Sequence, residues 1–186
     1  MNKNKLRINI IAEAGILIAL AVVLDYICKL IPFLNMPQGG HITLAMFPLV
    51  ILSLRRGVSI GIISGLIYGM LNWVFDGYIL HPGSIFLDYL IAFGAYGVVG
   101  VVSNLYLDKE KKNTAIIVLF IFIAGLIRYI SSSLSGAIFF KEYAGNLNPY
   151  FYSFIVYNLP YMAITTIITM LLYPLLEKRL KEIPLN

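Results

Sequence analysis

Few residues in this chain can do charge-based chemistry, and several of them sit where charge is expensive. Asp88, Arg128 and the pair Asp25 and Lys29 all fall inside long apolar stretches. An ionised side chain at the bilayer centre costs about 2.5–3.5 kcal/mol even on the lenient insertion scale, so such groups normally face a bundle interior and serve a function. Asp25 and Lys29 are four residues apart and can pair on one helix surface near its outer rim, an interfacial salt bridge with little further role. Asp88 is set among other groups. Tyr68, Trp73, Tyr78, Tyr89, Tyr129, Ser131, Ser132, Ser133, Phe140, Tyr150, Tyr152, Tyr157, Asn158 and Tyr161 crowd the same half of the spans. A carboxylate among ring faces suits a cationic aromatic ligand: the carboxylate balances the charge, and each ring adds roughly 0.5–2 kcal/mol. The amide of Asn158 can read the donor and acceptor edge of a heterocycle. An interfacial aromatic belt accounts for the same composition without a ligand, and neutralisation by Arg128 competes with a binding role for Asp88.

Other chemistries lack their groups. Cys28 is the single cysteine, and His41 and His81 are the two histidines, which leaves no disulfide scaffold or structural zinc site. There is no HExxH, no P-loop, no GxSxG and no paired acidic motif. We therefore expect no catalytic residue, no metal and no cofactor. Without a nucleotide motif, uphill transport must draw its energy from a partner.

The elements that position these residues follow from composition. Of 186 residues, 60% are apolar and 12% charged, about half the roughly 25% charge of a soluble domain. A soluble globule of this length lacks the interior to hide so many apolar side chains. With 13% aromatic residues, disorder is excluded as well. Apolar stretches cover 8–34, 41–54, 57–75, 84–107, 114–140 and 150–176. A spanning helix needs about 20 residues. The second stretch is short, holds Pro48, and is expected to be tilted or buried inside the bundle. Long continuous runs fit helices, not the ten-residue alternation of a barrel. The expectation is an all-α membrane protein, a bundle of six transmembrane helices forming one domain over 1–186.

Basic residues orient it. Eleven of the 14 lie at the termini and in the second and fourth connections; Lys29 and Lys141 lie opposite, and Arg128 sits within a span. The positive-inside rule then puts both termini in the cytoplasm. So placed, the net charge of +5 argues for a lipid bilayer and against nucleic acid. The basic start and apolar run resemble a signal peptide, but no small-residue cleavage site follows before the next helix, so a retained first helix is expected. Gly57, Gly61, Gly65 and Gly69 recur every fourth residue and form a smooth packing ridge. Gly15 and Ala19 repeat that spacing in the first helix, either as internal packing or as a docking face for another membrane protein. The outward-facing loops at 33–40 and 76–83 hold glycine and proline and are expected to gate a pocket.

Specific residues add a resemblance. Ser53-Leu54-Arg55-Arg56-Gly57 with the glycine ridge is similar to the thiamine-specific S-component, the substrate-binding membrane subunit, of energy-coupling factor transporters. So are Gly77 to Pro82, Leu87-Asp88-Tyr89 through Phe93, Arg128-Tyr129, Ser135-Gly136-Ala137-Ile138-Phe139-Phe140, Tyr143-Ala144, Tyr152-Ser153 and Tyr157-Asn158. The likeness covers nearly the whole chain in matching order. It implies a six-helix subunit of the bacterial plasma membrane that captures thiamine from outside. Its partners would be a transmembrane coupling protein and, through it, two cytoplasmic ATPases. Carried over by position, Asp88 stands near the thiazolium with Tyr89 beside it. Tyr68 and Phe140 fall at aromatic positions, and Tyr78, Arg128, Ser132, Tyr152 and Asn158 match other pocket positions. Gly15 and Ala19 match the face of the first helix that meets the coupling protein. Asp88 replaces a glutamate of some members, Ser132 and Thr43 stand where a histidine and a glutamate can occur, and the interval from Tyr152 to Asn158 is one residue longer than the resemblance implies.

Three other readings compete. A riboflavin S-component would have no use for Asp88, because its ring is neutral. A membrane enzyme lacks the groups for catalysis. A stand-alone small transporter would show repeats and broken helices at midplane, and no clear repeat is present.

Overall fold

The computed structural model describes residues 3–76, 81–108 and 113–182. Among these, five helices are long and apolar enough to cross a membrane: α1 (Lys3–Lys29), α2 (Met46–Asp76), α3 (Pro82–Leu107), α4 (Thr114–Phe139) and α5 (Pro149–Glu182). No strand occurs among the described residues, apart from one antiparallel bridge between Asn35 and His41. Large apolar side chains cover the outer faces, among them Ile11, Ile16 and Val23 of α1 and Leu119 and Phe122 of α4. Such faces need hydrocarbon around them, and helices are the form that satisfies every backbone group there.

α2 is two helices in one run. Gly57 breaks it with φ 83° and ψ −179°, a conformation strained for any residue with a Cβ. The arm before the break, 46–56, is about 16 Å long, half of the roughly 30 Å hydrocarbon. Met46, Leu49, Val50, Leu52 and Leu54 on it are buried, so this short stretch is an interior helix. Two arginines mark the turn. The guanidinium groups of Arg55 and Arg56 both bond the carboxylate of Glu13 on α1, which ties the break to the first helix.

The second arm of α2 packs on α3 at glycine-to-glycine distance. A methyl group on Gly65 would lie 2.4 Å from the carbonyl oxygen of Phe93, and one on Gly61 would lie 2.9 Å from the Cα of Gly97. α3 answers with glycines at 94, 97 and 100. Over Ala95–Val102 it tightens into a 3₁₀ helix, whose three-residue turn stacks every third residue. Those glycines therefore make a straight groove for the four-residue ridge of α2. Close packing here fixes the backbone of Tyr89 and Phe93, and with it the segment that carries Asp88.

Candidate ligand-binding site

At the end of the bundle opposite the Glu13 cluster, a cavity of about 400 Å³ opens between α1, α2, α3, α4 and α5, within the size range of small-molecule sites. Two helical irregularities shape its wall. Ile85–Ile91 of α3 and Tyr152–Asn158 of α5 are π-helical, the wide turn that often marks functional sites. In an α-helix, residues five apart point about 140° away from each other. In this π turn they meet. The rings of Tyr152 and Tyr157 lie 6.2 Å apart at 27°, and the amide of Asn158 donates to the carbonyl and hydroxyl oxygens of Ser153 at 3.0 and 3.2 Å. Tyr152, Ser153, Tyr157, Asn158, Tyr161 and Met162 all reach the cavity as a result. The widened turn spans the whole interval from Tyr152 to Asn158.

Serines of α4 brace both π segments. Ser131 donates to the carbonyl of Leu87 at 2.6 Å and Ser135 to the carboxylate of Asp88 at 2.5 Å. From α5, Ser153 donates to the carbonyl of Ser133 at 2.7 Å. Gly136 leaves room for this contact: a methyl group there would lie 2.2 Å from the Ser153 hydroxyl.

Of the residues expected at a site, Asp88, Tyr89, Arg128, Ser132, Phe140, Tyr152 and Asn158 line the cavity. Asp88 and Arg128 form no ion pair with each other, and no cation pairs with Asp88 among the described residues. Arg128 is buried, with its guanidinium 4.9 Å from the ring centroid of Phe93. Tyr68 is corrected. It is fully buried, and its ring packs edge-on against Phe93 at 4.8 Å, so it backs the wall without reaching the cavity. Tyr78 lies outside the described residues. Asn158 lines the cavity with its amide held on both sides, its oxygen accepting from Tyr161 at 2.8 Å.

Asp25 is also corrected. The pair with Lys29 forms at 2.9 Å, yet the carboxylate is 3% exposed and lines the cavity. It accepts from Thr43 at 2.6 Å and Asn72 at 2.9 Å, and lies 2.8 Å from Nε2 of His41. Four partners from α1, α2 and the intervening loop converge on one side chain. Only Lys29 was legible from spacing; the others come from 16 to 47 residues away. His81 has a local role, accepting from the amide of Gly83 at 2.9 Å and stacking on Phe139 at 4.5 Å.

The loop between α1 and α2 crosses the cavity. Asn35, Gln38, Gly39, Gly40 and His41 line it from above. The hydroxyl of Tyr157 holds this loop, accepting from the amide of Gly40 at 3.0 Å and donating to the carbonyl of Pro37. Most of the second loop expected to gate, 77–80, lies outside the described residues. Gly15 and Ala19 are exposed on α1, beside an apolar hollow of about 430 Å³ shared with Ile60, Ile63 and Ile67 of α2. A methyl group on Gly15 would meet nothing within 4 Å, so that glycine is not used for internal close packing.

Together these features define an α-helical membrane protein with a polar, aromatic ligand cavity at one end of the bundle. Comparison with known proteins gives the family. Residues 11–184 match the model of the thiamine transporter protein family. The thiamine transporter ThiT of Bacillus subtilis (strain 168) is 34% identical over 174 residues, covering 90% of this chain and 89% of that protein. ThiT of Lacticaseibacillus paracasei is 26% identical over 157 residues, with 79% and 76% covered. A solved structure of ThiT from Listeria monocytogenes superposes with a TM-score of 0.80 at 27% identity, covering 93% of this chain and 95% of that one. The chain belongs to the thiamine transporter protein family, a family of transport proteins and not of enzymes.

Proposed function

We propose that this chain is the thiamine-capturing S-component of an energy-coupling factor uptake system in the bacterial plasma membrane. The observation that carries the reading is Asp88, a carboxylate without a paired cation among the described residues, set in a cavity walled by Tyr89, Phe140, Tyr152 and Tyr157. A fixed-charge aromatic cation supplies the ion-pair partner that neither Lys29 nor Arg128 of that wall gives Asp88, and the thiamine transporter family gives the cation its name. Counting the two arms of α2 separately makes six helices in one membrane-embedded domain. The basic residues of the termini, Arg55 and Arg56 then mark the cytoplasmic side, and the cavity opens outside. Asp88 is the counter-ion of the thiazolium; Tyr89, Arg128, Ser132, Phe140, Tyr152 and Asn158 complete the binding wall.

The energy comes from a partner. α1 presents Gly15 and Ala19, one turn apart on an exposed face, to the coupling protein that carries two ATPases. Small residues allow helix backbones to approach closely. Replacing both with tryptophan is expected to leave thiamine binding by the purified subunit near normal while abolishing ATP-dependent uptake and co-purification with the coupling protein. Thiamine accumulation by the wild-type subunit alone, in vesicles without ATPases, would instead make it a self-sufficient transporter.

A further inference from the structure

Asp25 is a second carboxylate in the cavity wall, and its surroundings give it a different task from Asp88. Its two oxygens offer about four acceptor sites, and four groups fill them: Thr43 and His41 on one oxygen, Asn72 and Lys29 on the other. A carboxylate so occupied has nothing left for a ligand. Two of its partners, His41 and Thr43, belong to the loop that crosses the cavity. That loop is bonded to itself. The amide of Met36 donates to the carbonyl of Gly40 at 2.6 Å, and the amide of Ile42 to that of Leu34 at 2.9 Å, around the bridge between Asn35 and His41. It can therefore move as one flap, with its tip at 36–40 and its base at 34–35 and 41–43.

Two helices hold the flap. α5 holds the tip through Tyr157 and adds a long 3.3 Å contact from Thr165 to the amide of Thr43. α1 holds the base through Asp25, and Asn35 donates to the carbonyl of Lys29 at 2.9 Å. Of the five spans α1 is the least buried, 17% of its apolar stretch against 28–50% for the others. It also bears the exposed Gly15 and Ala19. Asp25 lies six residues beyond Ala19, about 9 Å of rise along the same unbroken helix. Contacts of 2.6–2.9 Å at Asp25 tolerate little motion: a shift of about 1 Å carries them past the roughly 3.5 Å limit of a hydrogen bond.

We propose that Asp25 is a positioning residue that fastens the α1–α2 loop over the cavity from α1, so that a partner displacing α1 through its Gly15 and Ala19 face unfastens the loop and frees the ligand. This rests on the thiamine-transport reading above. It joins two features that reading left separate, since the helix offered to the coupling protein is also the helix that holds the loop in place.

The test follows thiamine association and dissociation by stopped flow on the subunit in nanodiscs. Thr43→Val deletes one bond to Asp25 at a residue that is 1% exposed and does not line the cavity. It should release thiamine roughly tenfold faster or more, as for loss of a charge-assisted hydrogen bond, with association not slowed. Thr43→Ser keeps the hydroxyl and should match wild type. Ala21→Leu acts on α1 instead: Ala21 is fully buried one turn before Asp25, and a larger side chain there forces the helix outward. It too should speed release, and the double variant should fall well short of the product of the two effects, because both open one fastening. Ala21→Val takes its place should the leucine variant not fold. Ile117→Phe crowds a fully buried position at the inner end of α4 and should leave the rate unchanged. Assembly with the coupling protein should speed release from wild type and add little to Thr43→Val. An unchanged rate in folded Thr43→Val would overturn the proposal. So would an effect of Ile117→Phe as large as that of Ala21→Leu, fully multiplicative effects in the double variant, or equal acceleration of wild type and Thr43→Val by the coupling protein. A wild type that binds no thiamine would sink the functional reading itself, a distinguishable result.

Discussion

Replacing Asp88 with asparagine changes the cavity by one charge and almost no volume. The amide oxygen can still accept from Ser135, which now bonds the carboxylate at 2.5 Å, so the π segment of α3 should keep its brace. What disappears is attraction for a cation. A unit charge about 4 Å from the carboxylate gains about 4 kcal/mol at an effective dielectric constant of 20. Part of that is offset because both ions shed water to meet. The net loss should fall in the usual range for a charge-assisted contact, about 1.5–3 kcal/mol, which is roughly ten- to a hundredfold in affinity. Isothermal titration calorimetry should show this loss for thiamine. An isosteric analogue with an uncharged thiophene in place of the thiazolium should bind wild type and Asp88→Asn within about threefold of each other, about 0.65 kcal/mol. Equal loss for both ligands would mean that Asp88 shapes the site without reading charge. No loss for either would remove it from the site.

Two further perturbations test the scaffold around the cavity. Tyr157→Phe deletes the hydroxyl that holds Gly40 and Pro37; with two hydrogen bonds at about 1 kcal/mol each, thiamine dissociation measured by stopped flow should accelerate several-fold or more, and an unchanged rate would mean that the α1–α2 loop does not retain the ligand. Gly65→Val places branched carbon where even a methyl would lie 2.4 Å from the Phe93 carbonyl oxygen; thermal unfolding in detergent should report a destabilisation of at least about 1–3 kcal/mol, whereas the same change at exposed Gly15, with open space around it, should not.

How far the sequence could carry this depended on the range of each contact. The spans were legible because lipid imposes long apolar runs, and the short second stretch announced an interior helix by its length. Asp88 stood out because a lone carboxylate in an apolar run is rare. Asp25 did not, because its partner at i+4 supplied a sufficient local explanation, while Thr43, Asn72 and His41 reach it only through the fold. Tyr68 is aromatic at the right depth, yet it turns to Phe93, and spacing alone does not tell the front of a wall from its back. The two π segments leave almost no trace in composition. The one on α5 coincides with the interval from Tyr152 to Asn158 that is a residue longer than the resemblance implies; the one on α3 had no sign. The three-residue spacing of Gly94, Gly97 and Gly100, which marks where α3 tightens, was not part of the sequence reading, which took only the four-residue ridge on α2.

The central claim is that this cavity binds thiamine through its cation. Titrating thiamine into the purified wild-type protein by calorimetry, with riboflavin as the competing vitamin, tests it most directly. Saturable binding at one thiamine per chain, with no displacement by excess riboflavin, is the expected result. Absence of thiamine binding by folded protein, or displacement by riboflavin at comparable concentration, would contradict it.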